Sequence, residues 1–317
     1  MAGLTGDVLV VNAGSTSLKL SVVADDETSH RVDSLESAPH VVAVGHRVVH
    51  GGERLSEPAL IDDSVLAELE RLIALAPLHN APAVAAIEAA QRALPDVPHV
   101  AVFDTAFHRT LPDIARTYLL PERFRERGIR RFGFHGLSVQ WVAEQVAAPR
   151  LVVCHLGGGS SVTAVLDGRS VDTTMGFTPL EGVPMATRAG SLDPGALLFL
   201  LRQGVPLEEL DNALEHESGL TGLAGTGDVA RLEHDASADA KLALEIYAYR
   251  VAQAVAAMAA ALGGIDALAF TGGVGENSGF VREKTCGRLA FLGDFDVHVV
   301  PAREDVVVAR AVRSVAP

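Results

Sequence analysis

Short apolar runs alternate with stretches of helical periodicity along this chain, and the runs stop at small or polar residues. Val8–Val11 and Leu18–Val23 are two β-runs separated by the polar Asn12 and a Gly/Ser elbow, and they predict a hairpin. The same outline returns in 151–166, LVVCHLGGGSSVTAVL, with His155 standing where Asn12 stood and Gly157–Gly159 as the elbow. A strand that ends in Gly and Ser leaves backbone N–H groups exposed, so its turn can approach an anion closely. One such hairpin is ordinary. Two in register predict a duplicated domain whose hairpins face one another across a cleft and grip a phosphate chain from both sides.

Between the hairpins, Ala24–His40 is polar and reads as a connecting loop, and Val41–Val49 as a strand. Amphipathic spacing predicts helices over Ser64–Leu75 and Pro82–Leu94, leading to the strand His99–Phe103, and another helix over Ser138–Val146. After the second hairpin come helices at Pro194–Gln203, Leu207–Glu215 and Lys241–Leu262, the strand Ala267–Phe270 and a last helix from Glu304. That last helix opens with acidic residues at its positive dipole end. Strands alternating with helices predict an α/β architecture. A third glycine loop, TGGVGENS, follows the strand at 267–270 and has the look of a nucleotide-binding turn, although its spacing matches neither the dinucleotide fingerprint nor the P-loop.

At 317 residues the chain exceeds the size at which one core usually stops growing, so two domains are expected. Only 5% of residues are aromatic against 48% hydrophobic, so packing rests on Ala, Val and Leu. A formal charge of −14 argues against a nucleic-acid or anionic-membrane surface. It also means that a small anionic substrate needs a local cationic pocket. Cys154 and Cys286 are too few for a disulfide framework, and the N-terminal MAGLTGDV has no basic start followed by an apolar run, so a reducing cytoplasm is the expected setting. Val251–Phe270 is broken by Gln253, Gly263, Gly264 and Asp266, which predicts a buried helix and a strand rather than a membrane span.

Alternation within VGHRVVHGGE puts Arg47 and Val49 on one strand face and His46, Val48 and His50 on the other. Asp104 ends the strand VAVFD and His108 follows it in DTAFH, while His79, His135 and Arg188 lie in the short Gly- or Pro-containing segments LAPLHN, RRFGFHG and MATRAG. Taken singly, each histidine also reads as a turn or packing residue and each arginine as a salt-bridge partner. Arg123, Arg125 and Arg127, interleaved with Glu122 and Glu126, read as a solvated helix face. No H-E-x-x-H or C-x-x-C pair points to zinc, and Ser160 lacks the flanks of a hydrolase elbow. The charged set suits phosphoryl transfer, which needs cations around three equatorial oxygens and strict alignment of donor and acceptor.

In order along the chain, VNAGSTSLK, GHRVVHGGE, LAPLHN, VFDTAFH, RRFGFHG, DTTMGFTPLEG, TRAGSLDPG and FTGGVGENS resemble the motifs of the acetate kinase family. That family belongs to the superfamily of actin, sugar kinases and the heat-shock-70 ATPase. The resemblance implies two duplicated ribonuclease-H-like domains with a cleft between them, residues 1–106 with 303–317 and residues 107–302. It implies transfer of a phosphoryl group between ATP and acetate, with ATP/ADP and Mg²⁺ as cofactors and a homodimer as the assembly. By resemblance Asn12 and Glu304 support Mg²⁺, and Ser15, Ser17 and Lys19 form the first phosphate loop. Arg47 and Arg188 hold the carboxylate and the phosphoryl group in flight, His135 stabilises the transition state, and His79 is a further contact to the phosphoryl group. Asp104 matches an acid/base position, where an orienting role is expected because a carboxylate acceptor needs no deprotonation. The second phosphate loop is His155, Leu156, Gly157, Gly158 and Gly159. Gly273, Val274, Gly275, Glu276 and Asn277 lie on the adenosine side, Asp228 starts a nucleotide contact segment, and Val49, Leu78, Phe134 and Pro179 form the acyl pocket.

The chain departs from the family pattern at several places. Gly158 replaces a usual Asn, Leu137 and Val139 replace a Thr and a His, and Ala230 stands where Arg is common, with Arg231 beside it. Material is missing relative to typical members between Val23 and Val41, around Ser237 and between Gly293 and Val300. Two alternatives therefore stay open, a kinase for propionate or a longer acid and a regulatory member that binds nucleotide without turnover.

Overall fold

A computed structural model describes residues 4–13, 18–35, 37–38, 40–75 and 77–316, with only the backbone described between 74 and 79. The chain divides into two compact units, Met1–Arg109 with Phe134–Trp141 and Arg303–Pro317, and Thr110–Gly133 with Val142–Ala302.

The sheet of the first unit contains β1 (Val8–Ala13), β2 (Leu18–Val23), β3 (Ser29–Val32), β4 (Ala43–Val48), β5 (Ala59–Leu60) and β6 (His99–Phe103), in the order β3-β2-β1-β4-β6-β5. The second unit has β7 (Arg150–Leu156), β8 (Ser160–Leu166), β9 (Arg169–Thr173), β10 (Ala267–Thr271) and β11 (Asp296–Val299), in the order β11-β10-β7-β8-β9. Read from the hairpins, the two are the same construction. An antiparallel three-strand meander, β1-β2-β3 or β7-β8-β9, is extended from its first strand by parallel neighbours, β4 and β6 or β10 and β11. The duplicated α/β fold expected from the twin hairpins is thus present in the strand order of both sheets.

Each sheet is buried by helices that its sequence patterns specify. In the second unit the helix Ala238–Leu262 places Ala240, Ala243, Leu244, Tyr247, Val251, Val255, Met258 and Leu262 against β7, β8 and β9. Their i, i+3, i+4 spacing makes one continuous stripe. Ser237 caps the start through its Oγ and Gly263, at φ +68°, closes the end. In the first unit the helix Glu304–Val315 lays Val306, Val308 and Val312 on β1, β4 and β6. Gly45 is obligatory in β4, because a Cβ there would sit 2.6 Å from Val308 and 2.7 Å from Val312.

Several expectations are corrected. Ala24–His40 is not only a loop, since Ser29–Val32 pairs with β2 as an edge strand. The second helix begins at Pro77, with Pro82 inside it, rather than at Pro82. The helix from Leu207 ends at Asn212 and passes into a π-turn over Ala213–Glu217. The third glycine loop is helical over Gly272–Asn277, immediately after β10. Its glycines permit tight entry, Gly272 taking φ +79° against the backbone of Leu156. Among the described residues no helix is long and apolar enough to cross a membrane.

Candidate active site

Within the first unit, adjacent parallel strands bring their carboxyl ends together. Asn12 on β1 is in register with Arg47 on β4, and Asp104 follows β6 directly. The Arg47 fork is almost fully committed. Its Nη1 donates to Asn12 Oδ1 at 3.0 Å, its Nε to Asp104 Oδ1 at 3.1 Å and its Nη2 to Asp104 Oδ2, while Glu304 Oε2 lies 3.5 Å from Nε. Glu304 arrives from the first turn of the C-terminal helix. Burial, helped by the neighbouring Glu304, raises the Asp104 carboxyl to about 6 against the pull of Arg47. Burial alone would lower the Arg47 guanidinium, but Asp104 and Glu304 more than offset it and raise it. The two-pronged geometry is that of an ionised pair at neutral pH.

His135 stands at φ +59°, in the left-handed region that residues with a Cβ seldom adopt. The following residue explains why the strain holds. Gly136 N donates to Asp104 O at 2.9 Å, and a Cβ on Gly136 would lie 2.0 Å from that oxygen. The F-H-G turn is therefore fastened to the residue that orients Arg47. Phe134 is buried, stacks edge-on against His50 at 5.7 Å, and its carbonyl accepts from His108 Nε2 at 2.9 Å, and Val49 is buried too. Asn80 Nδ2 donates to His50 O and its Oδ1 accepts from His50 N, which ties the helix bearing Leu78 and His79 to the end of β4. Lys19 on β2 lies opposite Asn12 and is exposed. Ser15 and Ser17 lie outside the described residues, as do the side chains of Leu78 and His79.

His46 and His50 are four residues apart, a metal-binding spacing on a helix. On this strand both rings serve the protein. His46 Nε2 lies 3.0 Å from His99 Nδ1, whose ring donates onward to Leu94 O, and His50 Nδ1 accepts from Gly52 N at 2.8 Å.

In the second unit the β7–β8 elbow is drawn tight by Gly157 N donating to Gly159 O at 2.9 Å. A pocket of about 240 Å³ is lined by Gly157 and Gly158 from this elbow, Asp228 with Val229 and Ala230, and Gly273, Val274 and Asn277. Six predicted nucleotide residues thus converge. Glu233 and Ser278 join the same lining and are hydrogen-bonded to each other, Ser278 Oγ donating to Glu233. Their only sequence signal was position, Ser278 directly following Asn277 and Glu233 lying five residues after Asp228. His155, Leu156, Gly159, Gly275 and Glu276 do not line that pocket. Leu156 is core, and Glu276 Oε1 accepts from Gly272 N and Ala302 N, which staples the helical glycine loop.

Arg188 is held differently from Arg47. Among the described residues its one hydrogen bond runs from Nη1 to Pro179 O at 3.1 Å, so most of its fork is uncommitted. Burial lowers its guanidinium from the ordinary value and Glu215 partly restores it, yet an arginine remains cationic.

For Mg²⁺ the donors are of the right kind. Asn12 Oδ1 and the carboxylates of Glu304 and Asp104 are hard oxygens, and two carboxylates around one guanidinium leave a net negative charge. No cluster of three or more His, Cys, Asp or Glu that would cage a metal occurs among the described residues.

Comparison with known proteins gives a consistent answer. Residues 28–311 match the Acetokinase family. An acetate kinase of Deinococcus deserti is 48% identical over 92% of this chain and 78% of its own length. One from Protochlamydia amoebophila is 49% identical over 79% of this chain and 66% of its own. Among solved structures, a propionate kinase from Francisella tularensis superposes with a TM-score of 0.91 at 33% identity, covering 97% of this chain and 99% of that one. The Porphyromonas gingivalis acetate kinase superposes with a TM-score of 0.86 at 30% identity, covering 98% of this chain and 100% of that one. The chain belongs to the acetokinase family.

Proposed function

We propose that this protein catalyses reversible in-line transfer of the γ-phosphoryl group of ATP to acetate, giving acetyl phosphate and ADP. The observation that carries the reading is the Arg47 fork held by Asn12, Asp104 and Glu304 in a chain nearly half identical to acetate kinases. A carboxylate oxygen of acetate attacks the γ-phosphorus as the bond to the β-bridging oxygen breaks. No proton is released, so Asp104 acts by orienting Arg47. Arg47 aligns the acceptor, Arg188 offers an open fork to equatorial oxygens, and His135 donates to the same charge. Val49, Leu78, Phe134 and Pro179 receive the acyl methyl group, and His79 contacts the phosphoryl group. Lys19, Ser15 and Ser17 meet the phosphates from the first hairpin, and His155–Gly159 meet them from the second. Asp228 and Gly273–Asn277 hold the adenosine. Asn12 and Glu304 would hold Mg²⁺, which would supply neutralisation of phosphate charge. The domains are residues 1–106 with 303–317 and residues 107–302.

A homodimer fits the surface of the second unit. The helix Pro194–Arg202 buries none of its residues, and Leu198, Phe199 and Leu207 are exposed beside Glu208, Glu209 and Asp211. The arm before β7 exposes Ile114, Leu119 and Phe124 beside Arg116, Arg123, Arg125 and Arg127. An apolar acidic face and an apolar basic arm offer opposite charge beside exposed apolar side chains, which is what contact with a second copy of the chain needs. Phe199→Asp is expected to convert a dimer to a monomer in sedimentation.

A hydroxamate assay with ATP, Mg²⁺ and acetate, propionate or butyrate tests the reaction. The expected order of kcat/KM is acetate, then propionate, then butyrate. The likeness to a propionate kinase makes propionate the second reading, and a reversed order would establish it. ADP binding without any acyl phosphate would favour the regulatory alternative.

A further inference from the structure

Arg188 depends on a single carbonyl, so whatever fixes that carbonyl governs where the cation points. Pro179 lies in the loop Gly176–Gly182, which carries no regular structure of its own. Both of its ends are tied down by three side chains that the sequence reading did not single out. Arg131 Nη1 lies 2.9, 2.9 and 3.0 Å from the carbonyls of Thr173, Thr174 and Met175. Its Nη2 donates to Glu181 Oε1 at 2.6 Å. The other oxygen of Glu181 accepts from Tyr118 Oη, which itself accepts from Phe177 N at 3.1 Å. Gly176 completes the arrangement, because a Cβ there would lie 1.8 Å from Glu181 Oε2 and 2.1 Å from Tyr118 Oη. The backbone repeats the tie, with Phe132 N donating to Gly176 O at 3.0 Å. Between the two anchored ends Pro179 is buried, Thr178 and Leu180 are half-buried, and Leu180 N donates to Thr178 Oγ1 at 3.4 Å.

We propose that Arg131, Glu181 and Tyr118 form a clamp that sets the Pro179 carbonyl and, through it, the direction of the Arg188 guanidinium. They are positioning residues, and their link to catalysis rests on the phosphotransfer reading. The chemistry is suited to the task. Arg131 satisfies consecutive carbonyls that a loop would otherwise leave without donors, and the bidentate use of Glu181 fixes direction as well as distance. An arginine left to a mobile carbonyl would still be charged, but would meet the equatorial oxygens in only a fraction of encounters. Loss of the clamp should therefore lower kcat while the nucleotide pocket, built from other segments, keeps its KM.

The test uses the full chain with Glu181→Gln and Tyr118→Phe, the latter keeping the ring and the packing. Hydrogen exchange of the amides in 173–182 is expected to speed up at least tenfold in both variants, with 267–277 unchanged. The kcat for acetyl phosphate formation should fall about tenfold or more in Glu181→Gln and about threefold in Tyr118→Phe, with KM for ATP within twofold. In an Arg188→Lys background the Glu181→Gln change should cost less than twofold more. Unchanged exchange over 173–182 would overturn the clamp. Faster exchange with full activity, or a Glu181→Gln loss undiminished in the Arg188→Lys background, would overturn its action through Arg188. If the wild-type protein made no acyl phosphate, the phosphotransfer reading would fall, and the exchange data would still decide the clamp.

Discussion

Two arginines, one in each unit, are held on opposite principles. Arg47, in the first unit, is nearly saturated by its own protein, with Asp104 and Glu304 cancelling its charge and Asn12 fixing the far prong. Arg188, in the second, has one carbonyl and a distant partial counterion in Glu215. The first is rigid and electrically spent, which suits a group that aligns an acceptor. The second is cationic and open, which suits a group that meets charge developing on the phosphoryl oxygens. Preorganisation and available charge are thus divided between two residues of one type.

The contrast is sharpened first by removing each fork. Arg47→Ala strips the partner from a buried carboxylate, and such a loss typically costs about 3–5 kcal/mol of stability. Its Tm in calorimetry should fall visibly along with activity. Arg188→Ala should leave Tm within a degree or two, yet cost about 3–4 kcal/mol of transition-state stabilisation, on the order of a hundred- to a thousandfold in kcat. Equal losses of Tm in the two variants would erase the distinction.

Asp104 gives the next largest effect. Its carboxyl is raised to about 6, so falling pH neutralises it in that region and slackens the hold on Arg47. The wild-type pH–rate profile should show an acid limb near pH 6. Asp104→Asn should lose that limb and, having lost a charge-assisted bond worth about 1.5–3 kcal/mol, run about ten- to a hundredfold slower at pH 8. An unshifted limb in the variant would assign it to another group.

The smallest expected effect separates catalysis from folding. Burial lowers His46 to about 3 and His108 to about 4, against an ordinary 6.5. Between those values the unfolded chain binds protons that the native one refuses, so stability is complete above pH 6.5 and is lost as pH falls. Asp104 partly opposes this, since the native protein holds its proton between 3.8 and about 6. His46→Phe should flatten the stability–pH slope between 4 and 6 by about one proton, or about 1.4 kcal/mol per pH unit, in urea titrations at several pH values.

Much of this could be read from the chain because its strongest signals are local. Twin apolar runs ending in Gly and Ser gave the duplicated hairpins, and strand alternation placed Arg47 on the face opposite His46. The short strands Ser29–Val32, Arg169–Thr173 and Asp296–Val299 escaped because they are edge strands rich in polar residues, and their pairing rather than their pattern makes them strands. The glycines at 272–275 read as a loop by propensity, whereas stapling by Glu276 holds them helical. The ion pair between Arg131 and Glu181 spans 50 residues, and no periodicity links them. Glu304 was placed by resemblance, and its approach to Arg47 comes only from the packing of the C-terminal helix on β4.

The most direct test of the account is ³¹P NMR of the purified protein with ATP, Mg²⁺ and acetate. The account predicts an acetyl phosphate resonance growing in step with ADP, and its absence in Arg188→Ala. ADP accumulating with inorganic phosphate alone, or no change in ATP at all, would contradict it.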